Sequence, residues 1–241
     1  MMKKLAAQIL GPASLVSTAL TVYLGIWVTP QDDVQGNLAR MLYIHPAAAW
    51  IALYVGFGTA IIASLMYLWP RTRSTAADHV AASAMEVTLV FTILTLITGS
   101  LWGRPAWGVW WVWDARLTST AVLAVLVAGY LALRRAIDDP ELCARRSAVL
   151  ALVAAINVPV VHFAVVWWKT LHQGATILTP GSGILVHGIM AWTMLLSFIA
   201  FTLVYAWMVR ERYRIAIRQQ TRDDRELAHA VSARHSEGGA A

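Results

Sequence analysis

The fold of this chain is decided by residues 81–133, which read AASAMEVTLVFTILTLITGSLWGRPAWGVWWVWDARLTSTAVLAVLVAGYLAL. Two apolar runs, at 81–101 and 117–133, flank a short loop that is crowded with tryptophan. Each run is continuously apolar and is close to the ~20 residues that a helix needs to cross the hydrocarbon core. Because the runs do not alternate apolar and polar residues, they exclude spanning β-strands. The stretch therefore predicts two membrane-spanning helices joined by a Trp-rich loop.

The rest of the chain repeats this pattern. Of its 241 residues, 59% are hydrophobic and only 13% are charged, about half of the ~25% that is typical of soluble domains. The chain is predicted to be an all-α polytopic membrane helix bundle with six transmembrane helices, at residues 10–28, 42–69, 81–101, 117–133, 148–167 and 184–209. Residues 1–209 are predicted to form one membrane domain, and residues 210–241 a charged, partly disordered cytoplasmic tail.

Lysine and arginine are distributed unevenly between the two sides of the predicted membrane. Fifteen fall on the side that holds both termini, and four fall on the other side, namely Arg40, Arg104, Arg116 and Lys169. By the positive-inside rule both termini are cytoplasmic, and the loops 31–41, 102–116 and 168–183 face outward. The net charge of +6 is therefore spread over helix ends, and no nucleic-acid partner is predicted.

The loop between the third and fourth runs holds five of the twelve tryptophans and ends in an aspartate. These residues are Trp102, Trp107, Trp110, Trp111, Trp113 and Asp114. One tryptophan near a membrane surface is an ordinary anchor, whereas a crowded group of exposed indoles needs something flat and apolar to cover it. The loop therefore predicts a binding site for a flat ligand.

The geometry of the loop decides which indoles act together. If the loop is helical, Trp107, Trp110, Trp111 and Asp114 share one face. If it is extended, Trp111 and Trp113 share one side instead. Asp114 is predicted to cap the fourth span, where the helix dipole favours a carboxylate. It could instead hydrogen-bond an indole N–H or orient a histidine.

Two histidines, His45 and His172, lie in the segments that are predicted to face outward with the Trp-rich loop. Two imidazoles beside an aromatic panel suit a haem, because the macrocycle is flat and its iron takes axial imidazole ligands. The two ligating nitrogens must then lie roughly 4 Å apart. Arg104, Arg116 and Lys169 are candidate partners for the haem propionates. Interfacial anchoring and a different ligand remain the alternatives.

Two further histidines, in the fifth and sixth runs, give a second interpretation. His162 lies inside the fifth run and His187 at the start of the sixth. Asn157 and Pro159 predict a locally irregular helix beside His162, whose role is predicted to be structural. If His162 and His187 were ligands instead, the chain would be an electron-transfer membrane subunit with a permanent b-type haem. His187 is also the substitute should His45 or His172 not be a ligand.

Three stretches together carry a resemblance to a known family. They read QGNLARMLYIHPAAAW (35–50), TGSLWGRPAWGVWWVWDARLTS (98–119) and NVPVVHFAVVWWKTLHQG (157–174). The chain resembles CcmC, the haem exporter protein C family of system I cytochrome c maturation, within the larger group of haem-handling membrane proteins that carry a Trp-rich loop. Another member of that group, the system II CcsA-like protein, usually has more spans than the six counted here.

The resemblance implies a function and a set of partners. It implies a membrane subunit, not an enzyme, that holds haem b transiently on the outer face of the inner membrane and presents it to the haem chaperone CcmE. The ABC transporter subunits CcmA and CcmB and the small membrane protein CcmD are the other partners that it implies. His45 and His172 correspond to the family's axial ligands, and the six residues from Trp102 to Asp114 named above correspond to its haem platform.

The chain departs from the family pattern at one position. The family usually has His-Val-Pro after the first ligand, whereas Pro46 directly follows His45 here. A residue that precedes proline is biased toward extended geometry. The start of the second span is therefore expected to differ from that of the family.

Overall fold

The structure, a computed structural model, describes residues 2–172 and 186–238. Within these ranges the chain forms helices and no β-strand, apart from an isolated bridge between Asp32 and Gly36. The helices are α1 (Met2–Tyr23), α2 (His45–Trp50), α3 (Gly56–Leu68), α4 (Thr75–Trp107), α5 (Ala115–Ala136), α6 (Pro140–Ala155), α7 (Asn157–Trp167) and α8 (Gly188–Gly238). Six segments of this described part are long and apolar enough to cross a membrane. The predicted all-α membrane helix bundle is confirmed, and the orientation of its termini stays a prediction.

Three of the six spans are composites of several helical pieces. A π-helical turn, Leu24–Val28, prolongs α1, and a second one, Ile51–Val55, joins α2 to α3. A break at Ile156 separates α6 from α7, directly before Asn157. The amide of Asn157 donates to the carbonyl of Ser119 on α5 at 2.9 Å. The irregularity that Asn157 and Pro159 predict is therefore confirmed, and a neighbouring helix provides a partner for the side chain at the break.

Helix α4 is longer than the apolar run that predicts it. It continues past Leu101 and through Pro105 to Trp107, and ends where Gly108 adopts φ +81°. Glycine reaches this left-handed conformation without the penalty of a side chain, and its N–H bonds the carbonyl of Arg104 at 3.0 Å, which closes the helix. Within the predicted outward loop 102–116, the irregular part is therefore residues 108–114.

Helix α8 also runs further than its apolar segment. It continues without a break from the sixth span into the predicted charged tail, as far as Gly238. Two contacts join this extension to the start of α4: an ion pair between Arg212 and Glu86, and a hydrogen bond of 2.9 Å between His79 and Gln220. The division of the chain at residue 209 remains a prediction, and no helix end marks it.

Helix α4 lies in the middle of the bundle and packs against α3, α5 and α8, while α1 packs on α8. The approach of α3 to α4 is close at Gly56, where a Cβ atom would lie 2.2 Å from the hydroxyl oxygen of Thr88. Small residues let membrane helices approach this closely, because packing rather than hydrophobic exclusion holds them together in lipid. The bundle therefore places α4 next to nearly every element that contributes to the cavity described below.

The two ends of the bundle differ in character. The end formed by residues 29–44, 102–114 and 168–172 carries the tryptophans and is called the Trp-rich end. At the opposite end, Arg134 in the last turn of α5 makes two hydrogen bonds of 2.6 and 2.8 Å to Asp78 in the first turn of α4. Both side chains are largely buried. Each charge is also opposite in sign to the partial charge of the dipole at its own helix end, which is a favourable interaction.

We expect this buried ion pair to hold α4 to α5. Asp78→Ala or Arg134→Ala alone should lower the free energy of unfolding by about 3–5 kcal/mol, because each leaves the other charge buried without its partner. Replacing both residues by Leu should lower the free energy of unfolding by less than either single change does. The measurement is thermal unfolding in detergent micelles. Arg73 and Glu141 form an exposed pair at the same end, so Arg73→Ala is the matched control and should change little. Equal losses from both pairs would contradict this account.

Candidate functional site

A cavity of about 390 Å³ lies at the Trp-rich end of the bundle. Its walls come from the turn before α2, from α2 itself, from α4, α5, α7 and α8, and from the segment that follows α7. Its size falls within the range of ~300–1,000 Å³ that is usual for ligand sites. Three histidines, four tryptophans and one arginine from different parts of the sequence are among the residues that line it: His45, His162, His172, Trp50, Trp102, Trp107, Trp111 and Arg116.

The rings of two of these histidines lie against each other across this cavity. The ring centres of His45 and His172 are 6.1 Å apart, with 42° between the ring planes. Two imidazoles on one metal ion place their nitrogens roughly 4 Å apart and their ring centres roughly 6 Å apart. No group of three or more potential metal ligands occurs in the described part of the chain. The donor set therefore suits a metal that brings its other ligands with it, as haem iron does.

His45 is held by its place in the helix. A 3₁₀ turn, Asn37–Tyr43, delivers the chain to α2, whose first residue is His45. The expectation that Pro46 would push His45 toward extended geometry is wrong, because His45 is helical. Proline is tolerated in the first helical turn, where its missing N–H would have had no partner. The ring of His45 then lies on α4, with Nδ1 at 3.1 Å from the hydroxyl oxygen of Thr98.

His172 is held on an irregular segment. Its ring meets Trp107 edge-on at 6.1 Å between ring centres. The hydroxyl of Thr170 donates to the backbone carbonyl of His172 at 3.0 Å. On the preceding residue, the N–H of Leu171 donates to a carboxylate oxygen of Asp114 at 3.2 Å. The remainder of the predicted outward loop, beyond residue 172, lies outside the described residues.

Asp114 joins the Trp-rich loop to the His172 segment. One oxygen accepts the N–H of Leu117 at 2.8 Å, which caps α5, and the other accepts the N–H of Leu171. The capping that the sequence favours is present. The second bond fixes the backbone one residue before His172. Asp114 therefore also helps to orient a histidine, which is close to the alternative role that the sequence suggests.

The two bonds of Asp114 can be tested separately. Asparagine keeps one carbonyl oxygen and is a good N-cap, but its amide nitrogen cannot accept the N–H of Leu171. We therefore expect Asp114→Asn to weaken ligand binding about 10-fold with little loss of stability. Asp114→Ala should cost ~1 kcal/mol of stability as well. Asp139 caps α6 in the same way but lies at the opposite end of the bundle, away from the His172 segment, so Asp139→Asn is the control. Unchanged ligand binding in Asp114→Asn would leave Asp114 as a cap only.

The five tryptophans of the loop divide into two groups. Trp102, Trp107 and Trp111 line the cavity, whereas Trp110 and Trp113 do not and are 57% and 81% exposed. Residues 108–114 are not helical, so the helical arrangement with Trp107, Trp110 and Trp111 on one face does not form. Trp111 and Trp113 make an edge-on ring contact at 5.5 Å. The two rings therefore lie on the same side of the chain, as the extended alternative predicts.

Two indole N–H groups at the cavity differ in their partners. Trp102 donates to the side-chain oxygen of Gln35 at 2.9 Å. The Nε1 of Trp111 is buried and has no hydrogen-bond partner among the residues that the structure describes. A buried donor without an acceptor is costly and uncommon. A ligand that carries a carboxylate would supply the missing acceptor.

The predicted cations occupy different places. Arg116 lines the cavity and donates to the carbonyls of Val161 and His162 at 3.0 and 3.1 Å. Arg104 is exposed and donates to the carbonyl of Gly108 at 2.5 Å, outside the cavity lining. Lys169 is exposed on the segment after α7. Arg116 is therefore the one candidate of these three whose charge is placed in the cavity.

The floor of the cavity holds a pair that the sequence does not reveal. The hydroxyl of Tyr54, on the turn that joins α2 to α3, lies 2.5 Å from Nδ1 of His162, and both residues line the cavity. His162 thus has a hydrogen-bonded partner, as its structural role predicts. His187 is exposed at the start of α8. This geometry supports His45 and His172, rather than His162 and His187, as a ligand pair.

The fold and cavity define a polytopic helical membrane protein with a cavity lined by histidines and tryptophans. A family model described as "Heme exporter protein C" matches residues 1–228, and the chain belongs to this family. A protein named "Heme exporter protein C" from Bradyrhizobium diazoefficiens is 42% identical over 205 residues, which cover 83% of this chain and 76% of the relative. The protein of the same name from Escherichia coli K12 is 37% identical over 204 residues, covering 84% and 80%. A relative from Marchantia polymorpha, a "Putative cytochrome c biosynthesis ccmC-like mitochondrial protein", is 37% identical over 195 residues, covering 81% of each chain.

Proposed function

We propose that this chain binds haem b transiently at the Trp-rich end and presents it to a haem chaperone, CcmE, for the biogenesis of c-type cytochromes. Its family and its relatives' names support a role in haem handling for that process. The observation that carries the proposal is the pair His45 and His172, whose rings lie 6.1 Å apart in a Trp-lined cavity.

The residues present fit the group. Haem, when bound, supplies an iron that accepts two axial imidazoles and a flat apolar ring that needs cover. His45 and His172 would hold the iron, and Trp102, Trp107 and Trp111 would cover the ring. Arg116 and the unpartnered N–H of Trp111 would hold the propionates, since charge-assisted hydrogen bonds to carboxylates are the strong ones.

The two sides of the site suit release as well as binding. His45 begins a helix and is held by Thr98 on α4. His172 lies on an irregular segment that also carries the exposed residues Lys169 and Leu171. The His172 side is therefore held less rigidly than the His45 side, and we expect His172 to give up the haem first. No covalent bond to this chain has to break.

The proposed partners and location follow from the same assignment. The six spans place the chain in a membrane, which we propose is the inner membrane. The chain has no P-loop motif, so ATP use would belong to the transporter subunits CcmA and CcmB, with CcmD as a further membrane partner. The proposed role of the chain is binding and presentation rather than catalysis.

Haem transfer provides the direct test. Purified chain in lipid nanodiscs is loaded with haem and mixed with the purified soluble domain of CcmE, and covalent haem on the chaperone is followed by haem staining after denaturing electrophoresis. We expect stained chaperone from loaded chain and much less from free haem at equal concentration. Equal staining in both samples would contradict presentation by this chain.

The predicted orientation can be checked independently in cells. Periplasmic reporter fusions after Gly36, Gly108 and Gln173 should all be active, and a fusion after Asp138 should be inactive, because fifteen of the nineteen lysines and arginines lie on the other side. An inactive fusion at any of the first three positions would place the Trp-rich end in the cytoplasm. It would thereby contradict presentation to a chaperone outside.

A further inference from the structure

The ring of His45 is fixed against one short stretch of α4. Its Nδ1 lies 3.1 Å from Oγ1 of Thr98. On the next residue, Gly99, a Cβ atom would lie 3.1 Å from Cε1 of the ring. The absence of a side chain at Gly99 therefore allows the imidazole to lie directly on the helix backbone. Thr98 is 5% exposed, so its hydroxyl is placed to act on the histidine and little else.

The hydrogen atoms at this contact can be counted. A threonine hydroxyl has one hydrogen to donate, and it can accept as well. That of Thr98 donates to the backbone carbonyl of Leu94 at 2.7 Å, so toward His45 it is left as an acceptor. The same hydroxyl also lies 3.3 Å from the backbone carbonyl of Thr95, a second acceptor for its hydrogen. An acceptor that faces Nδ1 of His45 requires an N–H on that nitrogen.

A neutral imidazole carries one N–H and one nitrogen with a free lone pair. If Nδ1 of His45 carries the hydrogen toward Thr98, then Nε2 carries the lone pair. The tautomer of a ligating histidine is set by the hydrogen bond that its other nitrogen makes. Such partners orient the ring and raise the basicity of the ligating nitrogen.

We propose that Thr98 is a positioning residue that fixes His45 in its Nδ1–H tautomer, so that Nε2 is the nitrogen presented to a metal in the cavity. The metal is the haem iron if the proposed function is correct, and to that extent the inference rests on it. The tautomer itself is a property of the protein without ligand. It follows from the contacts of Thr98 and Gly99 with the ring.

The tautomer is measured on the haem-free protein. Full-length chain labelled with ¹⁵N-histidine is studied by NMR in nanodiscs, where the protonated and unprotonated ring nitrogens have well-separated shifts and the labelled signal missing in His45→Ala identifies His45. We expect the wild type and Thr98→Ser, which keeps the hydroxyl, to hold the Nδ1–H form. Thr98→Val has nearly the same shape but no acceptor, and should give a mixture of tautomers.

Haem titration gives the second readout. Thr98→Val should weaken haem binding about 10- to 100-fold, as is usual when the partner of a metal-ligating histidine is lost, and Thr98→Ser should restore it. The control is Thr92→Val, because Thr92 is a fully buried threonine of the same helix whose hydroxyl donates to the carbonyl of Thr88. This control should bind haem as the wild type does.

The outcomes separate this inference from the proposed function. A wild-type His45 in the Nε2–H form, or a Thr98→Val protein that keeps both its tautomer and its haem affinity, would overturn the inference. Should Thr98→Val fail to fold, the wild-type tautomer measurement still decides the matter. A wild type that does not bind haem would contradict the proposed function, while the tautomer of His45 would still support or overturn the role of Thr98.

Discussion

Haem affinity is expected to fall by at least about 100-fold when His45 or His172 is replaced by alanine, which exceeds the usual effect of losing a residue that only orients a metal ligand. Each change removes one of the two imidazoles whose rings lie 6.1 Å apart in the cavity. The absorption spectrum should also change its shape, because an iron with one imidazole differs from an iron with two. The measurement is haem titration of the purified variants, followed by their absorption spectra.

His162→Ala is the control for these variants. His162 lines the same cavity, but its ring is bonded to Tyr54 at 2.5 Å, and it makes no ring contact with either candidate ligand among the contacts described. We expect at most a modest loss of haem in this variant. A spectrum that vanishes in His162→Ala and survives in His172→Ala would exclude the proposed ligand pair. It would favour a permanent b-type haem within the spans instead.

The sequence predicts the number and type of the spans well, because length and continuous apolarity are local properties of the chain. It predicts their ends less well, because helix ends depend on features that apolarity does not report. Helix α4 continues through Pro105 to the left-handed Gly108. Helix α8 continues beyond its apolar segment, where an ion pair and a hydrogen bond to α4 support it. The break before α7 is predicted correctly because Asn157 and Pro159 mark it locally.

The candidate site is predicted in part, for a physical reason. The count and order of the spans are enough to bring His45, His172 and the Trp-rich loop to one end of the bundle, because the connections after the first, third and fifth spans lie on the same side. They cannot say which side chains point inward, since that depends on the packing of α4 against α2 and α5. Tyr54 and Thr98 are ordinary span residues in the sequence, and only the fold places them against His162 and His45.

The division of the loop tryptophans into two groups leads to the second large expected effect. Trp107 and Trp111 line the cavity, whereas Trp110 and Trp113 are exposed outside it. If the indoles served only as a membrane anchor, the two pairs would be interchangeable, since an anchor needs only aromatic rings at headgroup depth. If the loop holds a flat ligand on one side and meets a partner on the other, the two pairs have different functions.

The double variant Trp107→Ala with Trp111→Ala should lose haem binding at least about 10-fold, since contact of a flat heterocycle with one aromatic side chain is worth ~1–3 kcal/mol. It also removes the unpartnered N–H of Trp111. The matched variant Trp110→Ala with Trp113→Ala should bind haem almost normally, because neither ring lines the cavity. It should nevertheless slow the loading of the chaperone, because it removes the exposed aromatic surface next to the site, and such surfaces mark interaction sites.

Both double variants are compared in haem titration and in the transfer experiment, after their amounts in the membrane are shown to equal that of the wild type. The expected pattern is crossed: the inner pair governs affinity, and the outer pair governs transfer at full haem occupancy. Normal transfer in the outer variant would restrict the function of the loop to holding haem. Normal affinity in the inner variant would be the more serious result, because it would separate the tryptophans from the two-histidine cavity and reduce them to an aromatic belt at the membrane surface.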